Sequence, residues 1–215
     1  MVRIPSRAVL GALAGAALLA SPALAQQQDG EGAARAVFAG GCFWCVEADF
    51  DKVPGVLETT SGYIGGAVEN PTYEQVSSGA TDHVEAVEIV YDPDRVSYDE
   101  LLHVFWRTID PLTANAQFCD VGPHYRSAIF ALDEEQARVA AQSKEEVAAR
   151  FDQPIATTVE EAAPFYAAED YHQDYYEKNP LAYKFYRWNC GRDARVEALW
   201  GEEAGGLGIF DDRAS

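Results

Sequence analysis

Basic residues are scarce in this chain: 16 Lys and Arg stand against 35 Asp and Glu in 215 residues, a net charge of −19. Such a molecule repels phosphate, so nucleic acid and anionic membrane surfaces, whose affinity rests on Lys and Arg, are poor partners. There is no internal repeat. Beyond residue 25 no apolar run approaches the roughly 20 residues needed to cross a bilayer, so no membrane insertion is expected there. Arg3 and Arg7 are not adjacent, and no Cys follows the expected cleavage point. Neither a twin-arginine signal nor lipid anchoring through such a Cys is therefore indicated. Cysteine is sparse as well. Cys42, Cys45, Cys119 and Cys190 are the only four, in a chain large enough to bury a core without disulfide staples.

What is present begins with a targeting segment. Arg3 and Arg7 precede an apolar run from Ala8 to Ala20 and then Ala23-Leu24-Ala25, the pattern of a secretory signal peptide spanning residues 1–25. Cleavage after Ala25 removes two basic and no acidic residues, which leaves 14 against 35 and a net charge of −21. Residues 26–33 are polar and Gly-containing and read as a flexible leader. Residues 34–215 fit one domain, expected to be an exported, monomeric protein of the periplasm or the medium. In such an oxidising compartment cysteines often pair. Four thiols allow three complete pairings, and the sequence does not choose among them.

Within the domain, Ala34 to Ala39 reads as a strand, Gly40-Gly41 as a tight turn, and Phe43 to Phe50 as a helix. Strands are expected at Val56 to Ile64, Val84 to Tyr91, Arg126 to Leu132 and Ile155 to Val159. Ser97-Tyr98-Asp99-Glu100 is a capping box opening a helix whose Leu101, Leu102, Phe105 and Ile109 form an apolar face and which ends at Asp110-Pro111. Residues 111–123 form a polar loop. Asp133 to Phe151 is the clearest helix, with Val139, Val147 and Phe151 inward, and Glu169 to Lys178 a short aromatic one. The order strand-helix-strand-strand-helix-strand predicts an α+β two-layer sandwich.

The chemistry concentrates at Gly40 to Glu47, Gly-Gly-Cys-Phe-Trp-Cys-Val-Glu. This stretch sets two thiols three residues apart where a strand turns into a helix. Cys42 then falls in the first helical turn, where unpaired N–H groups and the helix dipole favour a thiolate, the form of sulfur that attacks. The bland reading of both cysteines is as small buried apolar residues.

Matching segments extend along most of the chain. Gly40-Gly41-Cys42-Phe43-Trp44 is followed in order by Pro54-Gly55-Val56, Gly62-Tyr63 with Gly65-Gly66, Pro71-Thr72-Tyr73, His83-Val84-Glu85 and Tyr91-Asp92-Pro93. Then come Asp110-Pro111, Asp120-Val121-Gly122, Tyr125-Arg126-Ser127 and Ala168 through Gln173. From about Phe38 to Tyr175 the chain resembles the peptide methionine sulfoxide reductase A family. The resemblance implies a ferredoxin-like core with long loops and an irregular C-terminal segment. It also implies reduction of the S epimer of methionine sulfoxide, free or in proteins, without a metal or organic cofactor, and recycling by a thioredoxin-type reductant.

By the same resemblance Cys42 is the nucleophile, Glu85 the proton donor, Tyr63 and Tyr125 donors to the sulfoxide oxygen, and Phe43 and Trp44 the walls for the methyl group. Asp120 organises the site. Outside the family Glu85 would read as an outward residue of an alternating strand, the tyrosines as packed aromatics, Asp120 as a turn residue, and His172 as structural or a substrate-side contact. The chemistry is coherent: protonating the S–O oxygen as a thiolate attacks avoids an unstable oxyanion and leaves a sulfenic acid on Cys42.

The sulfenic acid must then be resolved, and here the chain departs from the commonest pattern. Cys45 replaces the usual glycine, and the Gly-rich tail with its recycling cysteines gives way to Asn189-Cys190-Gly191-Arg192. Cys190 is the first resolving candidate, near a chain end. Cys119, beside Asp120, is the second, and Cys45, on the helix of Cys42, the third. Two rival readings remain in view. One is an exported thioredoxin-like disulfide oxidoreductase built on Cys42 to Cys45, and the other a zinc domain using all four thiolates.

Overall fold

The computed structural model describes residues 32–207 together with Met1. Apart from Met1, the expected signal peptide and most of the leader thus lie outside the described residues. The elements are β1 (Ala34–Gly40), α1 (Phe43–Phe50), β2 (Val56–Ile64), α2 (Tyr73–Ser77), β3 (Val84–Tyr91), α3 (Tyr98–Trp106), β4 (Ala116–Gln117) and β5 (Asp120–Val121). After these come β6 (Ser127–Ala131), α4 (Glu134–Ala148), β7 (Thr158–Glu161), β8 (Tyr166–Ala167), α5 (Tyr175–Lys178), α6 (Pro180–Asn189) and α7 (Arg192–Trp200).

A mixed six-stranded sheet in the order β7-β6-β1-β3-β2-β8 carries the fold. The pairings are antiparallel except β6 with β7, and β4 and β5 form a separate small ribbon. The strand period of two sends alternate residues to opposite faces. Ala36 and Phe38 join Val87, Ile89 and Ile129 in a core shared with Phe43, Val46 and Phe50 of α1, Leu101, Leu102 and Phe105 of α3, and Val147 of α4. Val37 and Ala39 pack instead with Ile64, Ala86 and Phe130, against Ala163 and Phe165. Among the described residues no helix is long and apolar enough to cross a membrane. The core is built from branched aliphatics and aromatics; the chain's single methionine, Met1, is exposed and takes no part in it.

The capping box at Ser97 forms, with the Ser97 side chain accepting from Glu100 N and the Glu100 carboxylate accepting from Ser97 N. Two expectations about the helices change. The Glu169 to Lys178 helix is reduced to α5, because Asp174 stands in the left-handed region (φ 51°) and interrupts any longer run. The C-terminal segment, expected to be irregular, is helical from Tyr175 almost continuously to Trp200. Pro180 at the first turn of α6 and Gly191 (φ 65°) between α6 and α7 are the start and break signals behind that arrangement. Arg187, Val196 and Trp200 supply its buried side.

Candidate active site

Cys42 sits where β1 stops and α1 starts, as the N-cap residue itself rather than inside the first turn. Its carbonyl accepts from Cys45 N at 3.1 Å, so the helix begins on it. The approach demands two glycines. Gly41 has φ +82°, and a Cβ there would lie 2.5 Å from Gln117 Cβ; one on Gly40 would lie 2.9 Å from Val46 and 3.0 Å from Ile109. Only a chain without side chains at both positions can turn here with Gln117 so close. Gln117 in turn is buried and bonded to Asp110 through both N and O, which fixes the loop running on to Asp120.

Glu85 enters from β3, directly opposite Tyr63 of β2. It is an inward residue, 2% exposed, not an outward one. Its Oε2 accepts from Phe43 N at 3.0 Å, which holds the carboxyl against the first residue after Cys42. Burial pushes its pKa up to about 8 against that hydrogen bond, with Asp120 and Cys45 adding to the rise. Burial therefore favours the protonated form of Glu85 near neutral pH.

The two thiols of α1 are both buried and unbridged, and they bond to each other. Burial, the Cys45 thiol and Glu85 drive the Cys42 pKa up, opposed by contact with the Tyr186 hydroxyl. The hydrogen bond from Cys42 brings Cys45 down to about 7, helped by the guanidiniums of Arg192 and Arg187. The two thiols therefore act as a coupled pair, in which burial opposes charge on Cys42 while the hydrogen bond and the two guanidiniums favour it on Cys45. Beneath Cys45 lies a buried ionic cluster. Asp49 receives Arg187 at 2.9 Å, Arg187 also bonds Asp193 and the Tyr183 hydroxyl, and Arg192 reaches the Gly40 carbonyl.

Aromatic rings wall the site. Phe43 packs on Tyr63 and His172, and Trp44 stacks on Tyr175 with ring centres 3.8 Å apart. Trp44 Nε1 donates to His172 Nδ1 at 3.0 Å, so His172 positions the indole. The Tyr63 hydroxyl is engaged elsewhere, donating to Glu169 at 2.9 Å. The hydroxyl in contact with that of Tyr125, and within the field of Glu85 and Cys42, belongs to Tyr73 instead. Tyr73 is held from behind by its own N–H, which donates to Glu169. Asp120 accepts from the Tyr186 hydroxyl at 2.6 Å, and Tyr186 links it to Cys42. Tyr73, Tyr175, Tyr186 and Glu169 were not among the expected site residues.

Cys190 is disulfide-bonded to Cys119, not to Cys42. Among the described residues the metal-capable group the fold assembles is Cys119, Asp120 and Cys190. Cys42 and Cys45 are not in it, so the four cysteines are not gathered into one cluster.

Against known proteins, residues 34–204 match the family described as peptide methionine sulfoxide reductase. Peptide methionine sulfoxide reductase MsrA 2 of Rhizobium meliloti is 56% identical over 169 residues, 79% of this chain and 84% of its own. The reduced form of Mxr1 from Saccharomyces cerevisiae is similar in structure with a TM-score of 0.68 at 33% identity, covering 72% of this chain and 90% of that one. Mxr1 in complex with Trx2 superposes with a TM-score of 0.51 at 25% identity, covering 70% of this chain and 90% of that one. The glycine turn into Cys42, the buried Glu85 beside it and these likenesses together place the chain in the peptide methionine sulfoxide reductase family.

Proposed function

We propose that Cys42 is the sulfur that attacks and Glu85 the acid that completes the reaction in this reductase of S-methionine sulfoxide. The observation that carries the assignment is the buried Glu85 carboxyl pinned by Phe43 N–H beside Cys42. As the sulfoxide sulfur meets Cys42, the proton of Cys42 passes to the Cys45 thiolate and Glu85 gives its proton to the departing oxygen. Methionine leaves, and Cys42 becomes a sulfenic acid. Tyr73 and Tyr125, rather than Tyr63, donate to the oxygen, since Tyr63 already serves Glu169. Phe43 and Trp44 hold the methyl group, and Asp120 acts through Tyr186.

Resolution falls first to Cys45. Its thiol is already bonded to Cys42, and its attack on the sulfenic acid forms a Cys42–Cys45 disulfide and water. Cys190 and Cys119, paired with each other, act later in recycling by the thioredoxin-type reductant. The complex of the yeast relative with Trx2 supports that choice of reductant.

The remaining expectations are part of the proposal. The antiparallel order β6-β1-β3-β2, with α1 and α3 as crossovers, supports a ferredoxin-like core. Export rests on the signal pattern of residues 1–25 and makes the protein a monomeric enzyme of the periplasm or medium; N-terminal sequencing of the exported form should begin at Gln26. The test of function is an assay with separated sulfoxide epimers and dithiothreitol. The S epimer should be reduced without added metal or cofactor, and Cys42→Ser should abolish the reaction, oxygen being a far poorer nucleophile here. Full activity in that variant would overturn the assignment.

A further inference from the structure

The β4–β5 ribbon is two short strands joined by the two-residue turn Phe118-Cys119, with Gln117 directly opposite Asp120. Phe118 stands there in the left-handed region at φ 56°, a conformation that bulky L side chains rarely adopt. Two contacts hold it. The guanidinium of Arg192 lies over the Phe118 ring, 4.6 Å from its centre, and the bonds of Gln117 to Asp110 fix the strand before the turn. The turn thereby presents Cys119 and Asp120 side by side, and Cys190 reaches them as the residue that ends α6.

The result is a group of two sulfurs and a carboxylate oxygen that all lie within 4.8 Å of one another. Asp120 divides its oxygens. Oδ1 faces the Cys119 sulfur at 3.7 Å, and Oδ2 accepts from the Tyr186 hydroxyl at 2.6 Å. Carboxylates that ligate metal ions are oriented in the same way, by a hydrogen bond from outside the ligand set. While the two sulfurs are joined, the group has no thiolate to offer; after reduction it has two. A tetrahedral zinc ion about 2.3 Å from each would set them about 3.8 Å apart, a separation that the dimensions of the group accommodate.

We propose that the reduced form of this protein carries a zinc site made by Cys119, Cys190 and Asp120, which formation of the disulfide abolishes. Two thiolates with one carboxylate suit zinc, a borderline-soft ion, and not calcium or magnesium, which take oxygen ligands. Cys119 is exposed and its two companions are half-buried, so the ion enters from solvent and a water completes the tetrahedron. The strongly acidic chain draws cations toward it. The site is separate from the Cys42–Cys45 pair and stands independently of the reductase reading.

The exchange balances. As the ion binds, two thiols release two protons to solvent and two Zn–S bonds form, with no change of oxidation state. A thiol oxidant such as diamide then takes two electrons from the thiolates, the S–S bond forms and the ion is freed. The metal thus stands in for the bridge, tying the end of α6 to the β4–β5 ribbon when the bridge is reduced.

The test is run on the mature protein in a phosphine reductant, which does not compete as a thiol for the metal. Reduced wild type should retain one zinc ion per chain through desalting and the disulfide form none. The thermal midpoint of the reduced protein should rise on adding zinc, since a ligand of the folded state stabilises it. Diamide should release the ion in step with disulfide formation. Cys119→Ser/Cys190→Ser should retain no zinc, Cys42→Ser/Cys45→Ser should still retain one ion, and Asp120→Asn should bind roughly tenfold or more weakly. No zinc on reduced wild type, or zinc that is lost with Cys42 and Cys45 and kept without Cys119 and Cys190, would overturn the site. Unchanged affinity in Asp120→Asn would overturn the place of the carboxylate in it.

Discussion

Glu85 is the residue on which proton delivery turns, and its burial has consequences in opposite directions for activity and stability. Glu85→Gln keeps the shape and the contact with Phe43 N but removes the proton, so the single-turnover rate should fall by roughly a hundredfold or more. The wild-type rate should fall above about pH 8, and the variant should lack that limb. For stability the sign is reversed from an ion-paired carboxylate. The native state keeps the proton up to about pH 8, while the unfolded chain loses it near the ordinary glutamate value, so stability falls as pH rises between the two. Thermal melts should show Glu85→Gln above wild type at pH 8 and the gap closing toward about pH 5. At Cys45 a separate outcome is expected. Cys45→Ser should still release methionine in the first turnover but leave a persistent Cys42 sulfenic acid, which a dimedone adduct seen by mass spectrometry would report.

The residues beside Cys42 in sequence were readable because a motif holds them together. Tyr73 and Tyr186 were not, since a tyrosine in a chain with 11 of them looks like packing until the fold sets its hydroxyl near a thiol or a carboxylate, and Tyr175 was not, because only the fold stacks it on Trp44. The pairing of Cys119 with Cys190, 71 residues apart, was equally beyond local reading.

At the scale of elements, β1, α1, β2 and β3 follow the pattern closely because each has its own period and its own stop signal, and Gly40-Gly41 marks the turn between the first two. Gly41→Ala should be costly: the backbone conformation alone is about 1–2 kcal/mol unfavourable for alanine, before the contact with Gln117 is relieved. A melt several degrees lower is expected, with a larger loss of activity, because Gln117 anchors the loop carrying Asp120. Wild-type activity in a correctly melting Gly41→Ala would show that the loop position is not critical. The short strands β7 and β8 were shifted or missed. They are edge strands of four and two residues, held by neighbours rather than by a hydrophobic alternation of their own. The α6–α7 pair was missed for a related reason. In α6 the apolar stripe of Leu181, Phe185 and Trp188 faces outward while the buried side holds Tyr183 and Arg187, so the pattern runs opposite to that of a core-facing helix.

At the scale of the whole molecule, the C-terminal helices are tied back over the catalytic turn by two unlike devices. One is the Cys119–Cys190 bridge; the other is the buried cluster of Asp49, Arg187, Asp193 and Arg192. Together they let a distant stretch of chain deliver Tyr186 to Cys42. The composition of the interior has a consequence of another kind. Its core is filled by Phe, Val, Ile and Leu, with no methionine anywhere after residue 1. The oxidants that create this enzyme's substrate turn thioethers into polar sulfoxides and loosen the cores that contain them. Beyond Met1 this body offers them no thioether to attack, so the core of the repairer does not depend on the repair it performs.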